Sequence, residues 1–136
     1  MNIKANIINI LILSITNIVI FYYAVQLLVF TDEFSYNNLG SFNHAIAGLS
    51  EIIGIIFLCF SFSLLYIKYT GIYKQEPLLY TIFLVFFLIA SNLWRYVFTD
   101  SPGESNINII LINATIFTII SLLMLILIII LKFLNK

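Results

Sequence analysis

Four long apolar stretches, at about residues 7–30, 43–69, 77–98 and 107–133, leave this chain few ways to fold. Each reaches or exceeds the roughly 20 residues that a helix needs to cross about 30 Å of hydrocarbon. Membrane strands are much shorter and alternate in polarity, so continuous runs of this length exclude them. Helices satisfy their own backbone hydrogen bonds in lipid, which makes helix the only fitting element. The expected fold is therefore all-α: an integral membrane four-helix bundle, with residues 1–136 forming a single membrane domain. Composition agrees, because only 9% of residues are charged where a soluble domain carries about 25%. Too few polar residues remain to cover a water-soluble core.

The N-terminal region could be misread as a signal peptide, since Lys4 precedes an apolar run beginning near Ile7. The run extends well past a usual signal core and shows no small-residue cleavage site, so it is expected to be an uncleaved first span. The connectors carry turn and cap residues: Gly40, Gly71 followed by Pro77 at a helix start, and Ser101-Pro102-Gly103 before Ser105 or Asn106 as an N-cap. Their charges set an orientation. Lys4, Lys68, Lys74, Lys132 and Lys136 flank one side, while Asp32, Glu33, Asp100 and Glu104 occupy the first and third connectors. By the positive-inside rule both termini and the middle connector are cytoplasmic, in a multi-pass protein of the bacterial inner (cytoplasmic) membrane. Net charge is zero, which argues against a nucleic-acid partner. The single cysteine, Cys59, lies within the second stretch and reads as a small hydrophobe.

Against this apolar background, Glu51 stands out. A carboxylate inside a span is costly and ordinarily faces a bundle interior. On its helix, His44, Ala47, Gly48, Glu51, Gly54 and Ile55 recur at three- and four-residue spacing and are read as one small, polar face. Leu88, Ser91, Asn92 and Arg95 form a similar face on the third span. At 1.5 Å per residue Glu51 lies roughly 12 Å and Arg95 roughly 5 Å below the outer surface, a gap that an arginine side chain spans. An Arg95–Glu51 pair is therefore feasible, the alternative being that Arg95 snorkels outward to lipid phosphates. Gln26 and Asn113 fall at similar depth, so the candidate cluster is Glu51, Arg95, His44, Asn92, Asn113 and Gln26, read either as a ligand pocket or as a structural polar knot. Trp94, Tyr96, Tyr22, Tyr23 and Tyr36 fit an interfacial aromatic belt.

No motif identifies a reaction: the chain lacks C-x-x-C, H-E-x-x-H, a phosphate-binding glycine loop and G-x-S-x-G. His44 and Glu51 alone are too few to close a metal site. No cofactor, metal or catalytic residue is expected. The segment from Asn43 through Gly54 resembles the second-helix signature of the DoxX-like group of small four-helix bacterial membrane proteins, closest to an uncharacterised subfamily. Arg95 followed by Asp100 and Ser101-Pro102-Gly103 is similar to that group's end of helix three. Two departures stand out: His44 occupies an arginine position and Asn113 a frequent glutamate. The resemblance implies quinone-linked accessory subunits or maturation factors for other membrane proteins. The leading expectation is a binder of a small apolar or amphipathic ligand, a lipid or quinone, or an accessory subunit acting through the outer-half cluster. The rivals are a membrane immunity or assembly partner without its own ligand, and a small transporter or channel working as a homo-oligomer. Membrane lipids, and a membrane-protein partner or a second copy, are the expected partners.

Overall fold

The computed structural model describes residues 3–40, 43–72, 74–100 and 106–134. Among them run α1 (Ile3–Leu28), α2 (Thr31–Leu39), α3 (His44–Thr70), α4 (Glu76–Phe98) and α5 (Ile107–Leu134), with no strand. The four long helices coincide with the four apolar stretches, and each is long and apolar enough to cross a membrane.

The short α2 corrects the expectation of a plain connector over residues 31–42. Asp32 and Glu33 in its first turn complement the positive end of the helix dipole. Gly40, at φ 70°, ends it in the left-handed conformation and donates its N–H to the Tyr36 carbonyl. Thr31 Oγ1 donates to the Leu27 carbonyl at 2.6 Å, tying α2 to the last turn of α1. The other helix ends follow ordinary rules. Asn43 caps α3 by accepting from the Ile46 N–H at 2.8 Å, and Pro77 sits in the first turn of α4. Asn106 Oδ1 accepts from the Asn108 N–H at 2.9 Å before α5. The expected Ser101-Pro102-Gly103 turn and the Ser105 alternative lie outside the described residues.

Packing is in pairs. α1 lies along α3 and α4 along α5, with a lesser contact between α1 and α5. Within each pair the helices run antiparallel: Asn17 meets Ser61 and Leu28 meets Gly54, while Trp94 meets Thr118 and Tyr80 meets Lys132. The α1–α3 seam uses the buried face Ser50, Gly54, Phe57, Ser61, Leu64 and Ile67. Small residues on that face let the backbones approach closely. A Cβ on Gly54 would lie 2.7 Å from Leu28 Cγ and 3.0 Å from Leu27 Cβ.

The two pairs join through aromatic rings. Phe86 and Phe117 stack at 5.7 Å, and Phe57 sits 5.3 Å from Phe86 and 6.2 Å from Phe117. Tyr23 closes the cluster 4.8 Å from Phe117. The outward faces are apolar as well, with Leu11, Ile18, Ile52, Ile56, Leu84 and Leu122 all exposed.

The seam makes a paired prediction. Gly48 has nothing within 4 Å of an added Cβ, so Gly48→Ala gains helix propensity and changes stability by between zero and about +1 kcal/mol. Gly54→Ala forces Leu27 and Leu28 aside and costs about 1–3 kcal/mol despite the same propensity gain. Thermal unfolding in detergent compares them directly; equal midpoints for the two variants would refute the close approach.

Candidate functional site

Glu51 does not face the bundle interior. It is exposed, on the rim of the α1–α3 seam, one residue past the buried Ser50. Its level along the bundle is set by its neighbours. Gly54 packs under Leu27 and Leu28, the last residues of α1. One helical turn further on, Glu51 lines a recess with Leu28, Val29, Phe30, Thr31, Asp32 and Glu33. That is the level at which α1 ends and α2 begins. The turns of α3 before Glu51 therefore rise beside α2, beyond the end of α1. The recess, about 330 Å³, gathers three carboxylates, yet no group of three His, Cys, Asp or Glu among the described residues has an arrangement that could hold a metal.

The Arg95–Glu51 pair is not formed. Arg95 is exposed near the end of α4, and its guanidinium lies over the Tyr96 ring, 4.7 Å from the centroid. The reason lies in the packing. α3 is spent on α1 and α4 on α5, and between α3 and α4 stand the rings of Phe57, Phe60 and Phe86. The buried face of α4 is Leu79, Ile82, Phe86 and Ala90. The face Leu88, Ser91, Asn92 and Arg95 therefore points outward, and all four residues are exposed. His44 is exposed in the first turn of α3, next to the Asn43 cap. Gln26 is half-buried on α1.

Of the expected cluster, Asn113 enters a hydrogen-bonded network that joins three helices. Its Oδ1 accepts from Tyr23 Oη at 2.6 Å, and its Nδ2 donates to Asn38 Oδ1 at 2.9 Å. Asn38 Nδ2 in turn donates to the Phe34 carbonyl at 2.8 Å. The chain Tyr23–Asn113–Asn38 thus pins α2 across the end of the bundle, joining three helices. Tyr23 is buried, which corrects its reading as a belt residue. The signal was present in its phase, since Ile20, Tyr23, Ala24 and Leu27 share one buried face of α1. Asn38 gave no comparable signal, because it lay in a segment read as a loop.

A ligand-like feature among the described residues is a groove between α4 and α5, of about 420 Å³, within the usual range for ligand sites. Ala90, Ser91 and Ser121 supply the small residues that create the hollow. Its α4 wall is aromatic, with Phe83 stacked on Phe87 at 5.8 Å and Trp94 on Phe98 at 5.4 Å. Every polar hydrogen within it is engaged. Trp94 Nε1 donates to Thr118 Oγ1 at 2.9 Å, and Thr118 Oγ1 to the Ala114 carbonyl at 2.7 Å. Ser91 Oγ donates to the Phe87 carbonyl at 2.8 Å, and Ser121 Oγ to that of Thr118 at 2.9 Å. Trp94 is therefore a groove wall as well as an aromatic near a helix end. Sequence reasoning missed the groove because a stripe of Ala and Ser between aromatics reads equally as a close helix contact.

Compared with protein-family models, curated proteins and solved structures, the chain matches nothing.

The separation of Glu51 from Arg95 has a direct check. In a double-mutant cycle, Glu51→Ala and Arg95→Ala should change stability additively, within about 0.5 kcal/mol. A coupling above 1 kcal/mol would show that the two charges do meet.

Proposed function

We propose that this chain is a multi-pass protein of the bacterial cytoplasmic membrane that holds an apolar or amphipathic ligand, of the lipid or quinone class, in the α4–α5 groove. The membrane reading is supported by helices that are apolar on both sides. A soluble bundle covers its outward faces with charge, whereas here those faces carry leucine, isoleucine and phenylalanine. For orientation, Lys68 and Lys132 stand in the last turns of α3 and α5, at the end opposite α2. Asp32, Glu33 and Asp100 stand at the α2 end. Cytoplasmic termini and a cytoplasmic α3–α4 connector follow from that asymmetry. Helix α3, with 27 residues, is about 40 Å long and exceeds the hydrocarbon thickness by several residues. Glu51 then lies at the outer interface, hydrated beside Asp32 and Glu33, which removes the cost of a carboxylate in hydrocarbon.

The groove carries the ligand reading. It opens sideways on the face that lipid would touch, and its aromatic walls and small floor suit a hydrocarbon chain. On this reading Glu51 is not the ligand contact, and the DoxX-like resemblance of residues 43–54 is a proposal of kinship rather than of a shared site.

Orientation is testable in a Cys59→Ser background. A cysteine at Tyr36 should react with a membrane-impermeant maleimide in intact cells, and one at Lys74 only after lysis; the reverse pattern refutes the orientation. The groove is testable because Trp94 is the single tryptophan of the chain and lines the groove. An uncharged detergent with a brominated chain should quench its emission, and Ser91→Phe, which fills the groove, should reduce that quenching at least twofold. Unchanged quenching in the folded variant would refute the groove as a ligand site.

A further inference from the structure

We infer that the occupant of the α4–α5 groove is one acyl chain of an anionic phospholipid of the outer leaflet, with the phosphate held by Arg95. The inference rests on the reading of the groove as a ligand site and adds to it the chemical class of the ligand. Three observations lead there.

The first is the hydrogen bonding inside the groove. The N–H of Trp94 and the hydroxyls of Ser91, Thr118 and Ser121 are all already donated within the protein. A ligand that brings carbonyl oxygens into the groove, as a quinone ring does, meets no free donor and loses its hydration without compensation. A plain hydrocarbon chain loses nothing there and gains the aromatic faces of Phe83, Phe87, Trp94 and Phe98.

The second is the position of the cation. Arg95 lies one turn after Ser91, which lines the groove, so it stands at the edge of the groove face of α4 without itself lining the groove. It is exposed, and no carboxylate pairs with it among the described residues. Its guanidinium rests over Tyr96, a contact that an exposed arginine exchanges for a phosphate oxygen by rotating its long side chain. The planar fork of arginine matches phosphate with two parallel hydrogen bonds.

The third is length. From Phe83, at the inner end of the groove, to Arg95 is twelve residues, or about 18 Å along α4. Half of a 30 Å hydrocarbon core is about 15 Å. A chain lying from Phe83 upward therefore brings its headgroup to the level of Arg95, as one leaflet requires. Among the described residues Arg95 is the only lysine or arginine at this end.

The test again uses Trp94. The protein is reconstituted in vesicles of equal parts phosphatidylglycerol and phosphatidylcholine, with brominated chains on one lipid at a time. In the wild type the brominated anionic lipid should reach half-maximal quenching at about one-fifth the mole fraction of the brominated zwitterionic lipid, the preference that one interfacial cation confers. Arg95→Gln should abolish the difference, and Arg95→Lys should keep most of it. Ser91→Phe should lower quenching by both lipids. If both quench the wild type equally while Ser91→Phe still lowers both, the headgroup inference is overturned and the groove survives. If Ser91→Phe changes neither, the groove reading itself fails. If the preference persists in Arg95→Gln, Arg95 is not the anion contact.

Discussion

The clustered rings of Phe57, Phe86 and Phe117 set the distances on which the rest of the bundle depends. They come from α3, α4 and α5 and meet at the centre, with centroids 5.3–6.2 Å apart. Rings of this size hold two helix backbones apart while filling the space between them, so the α1–α3 pair and the α4–α5 pair join without α3 and α4 touching closely. Each ring also buries a large apolar area, and losing one costs about 3–5 kcal/mol in typical cores. The bundle is thus two tight hairpins bridged by an aromatic slab.

That arrangement explains why small residues have opposite consequences in the two hairpins. In α3, Gly54 is filled by Leu27 and Leu28 of α1, and the backbones close up. In α4 and α5, Ala90, Ser91 and Ser121 are flanked by Phe83, Phe87, Trp94 and Phe98, whose rings wall the space above them. The hollow stays open, and its polar hydrogens are turned back onto the protein. The same residue class makes a seam in one place and a groove in the other. Neighbouring side-chain volume decides which.

The polar groups divide in the same way. Tyr23, Asn113 and Asn38 satisfy one another and seat α2 on the end of the bundle, a structural knot that shares Asn113 with the expected cluster and takes Tyr23 and Asn38 from outside it. Glu51 and Arg95 stand outside it on separate faces. In the proposed membrane setting both reach the outer interface, Glu51 beside the acidic start of α2 and Arg95 beside the groove. Neither needs the other to relieve a buried charge.

Much of the architecture could be read directly from the residues. The number and length of the long helices follow from runs too long and too continuous for strands, because they depend only on local composition. The caps at Asn43 and Asn106 and the turn at Gly71 are equally local. Helix α2 was legible in principle from Asp32, Glu33 and Gly40, but its short length made it look like a connector. Which helices become neighbours is not a local property. His44, Gly48, Glu51 and Gly54 share a helical face by spacing, yet the buried face is centred on Ser50, Gly54 and Phe57, and the rotation of α3 was chosen by where α1 could pack. The partner of Asn113, the burial of Tyr23 and the hollow beside Trp94 were likewise decided by tertiary contact. Sequence alone determined four long apolar helices. Only the packed structure decided that Glu51 and Arg95 point apart and that a groove remains between α4 and α5, because spacing fixes angles within one helix and says nothing about the side chains a neighbour brings.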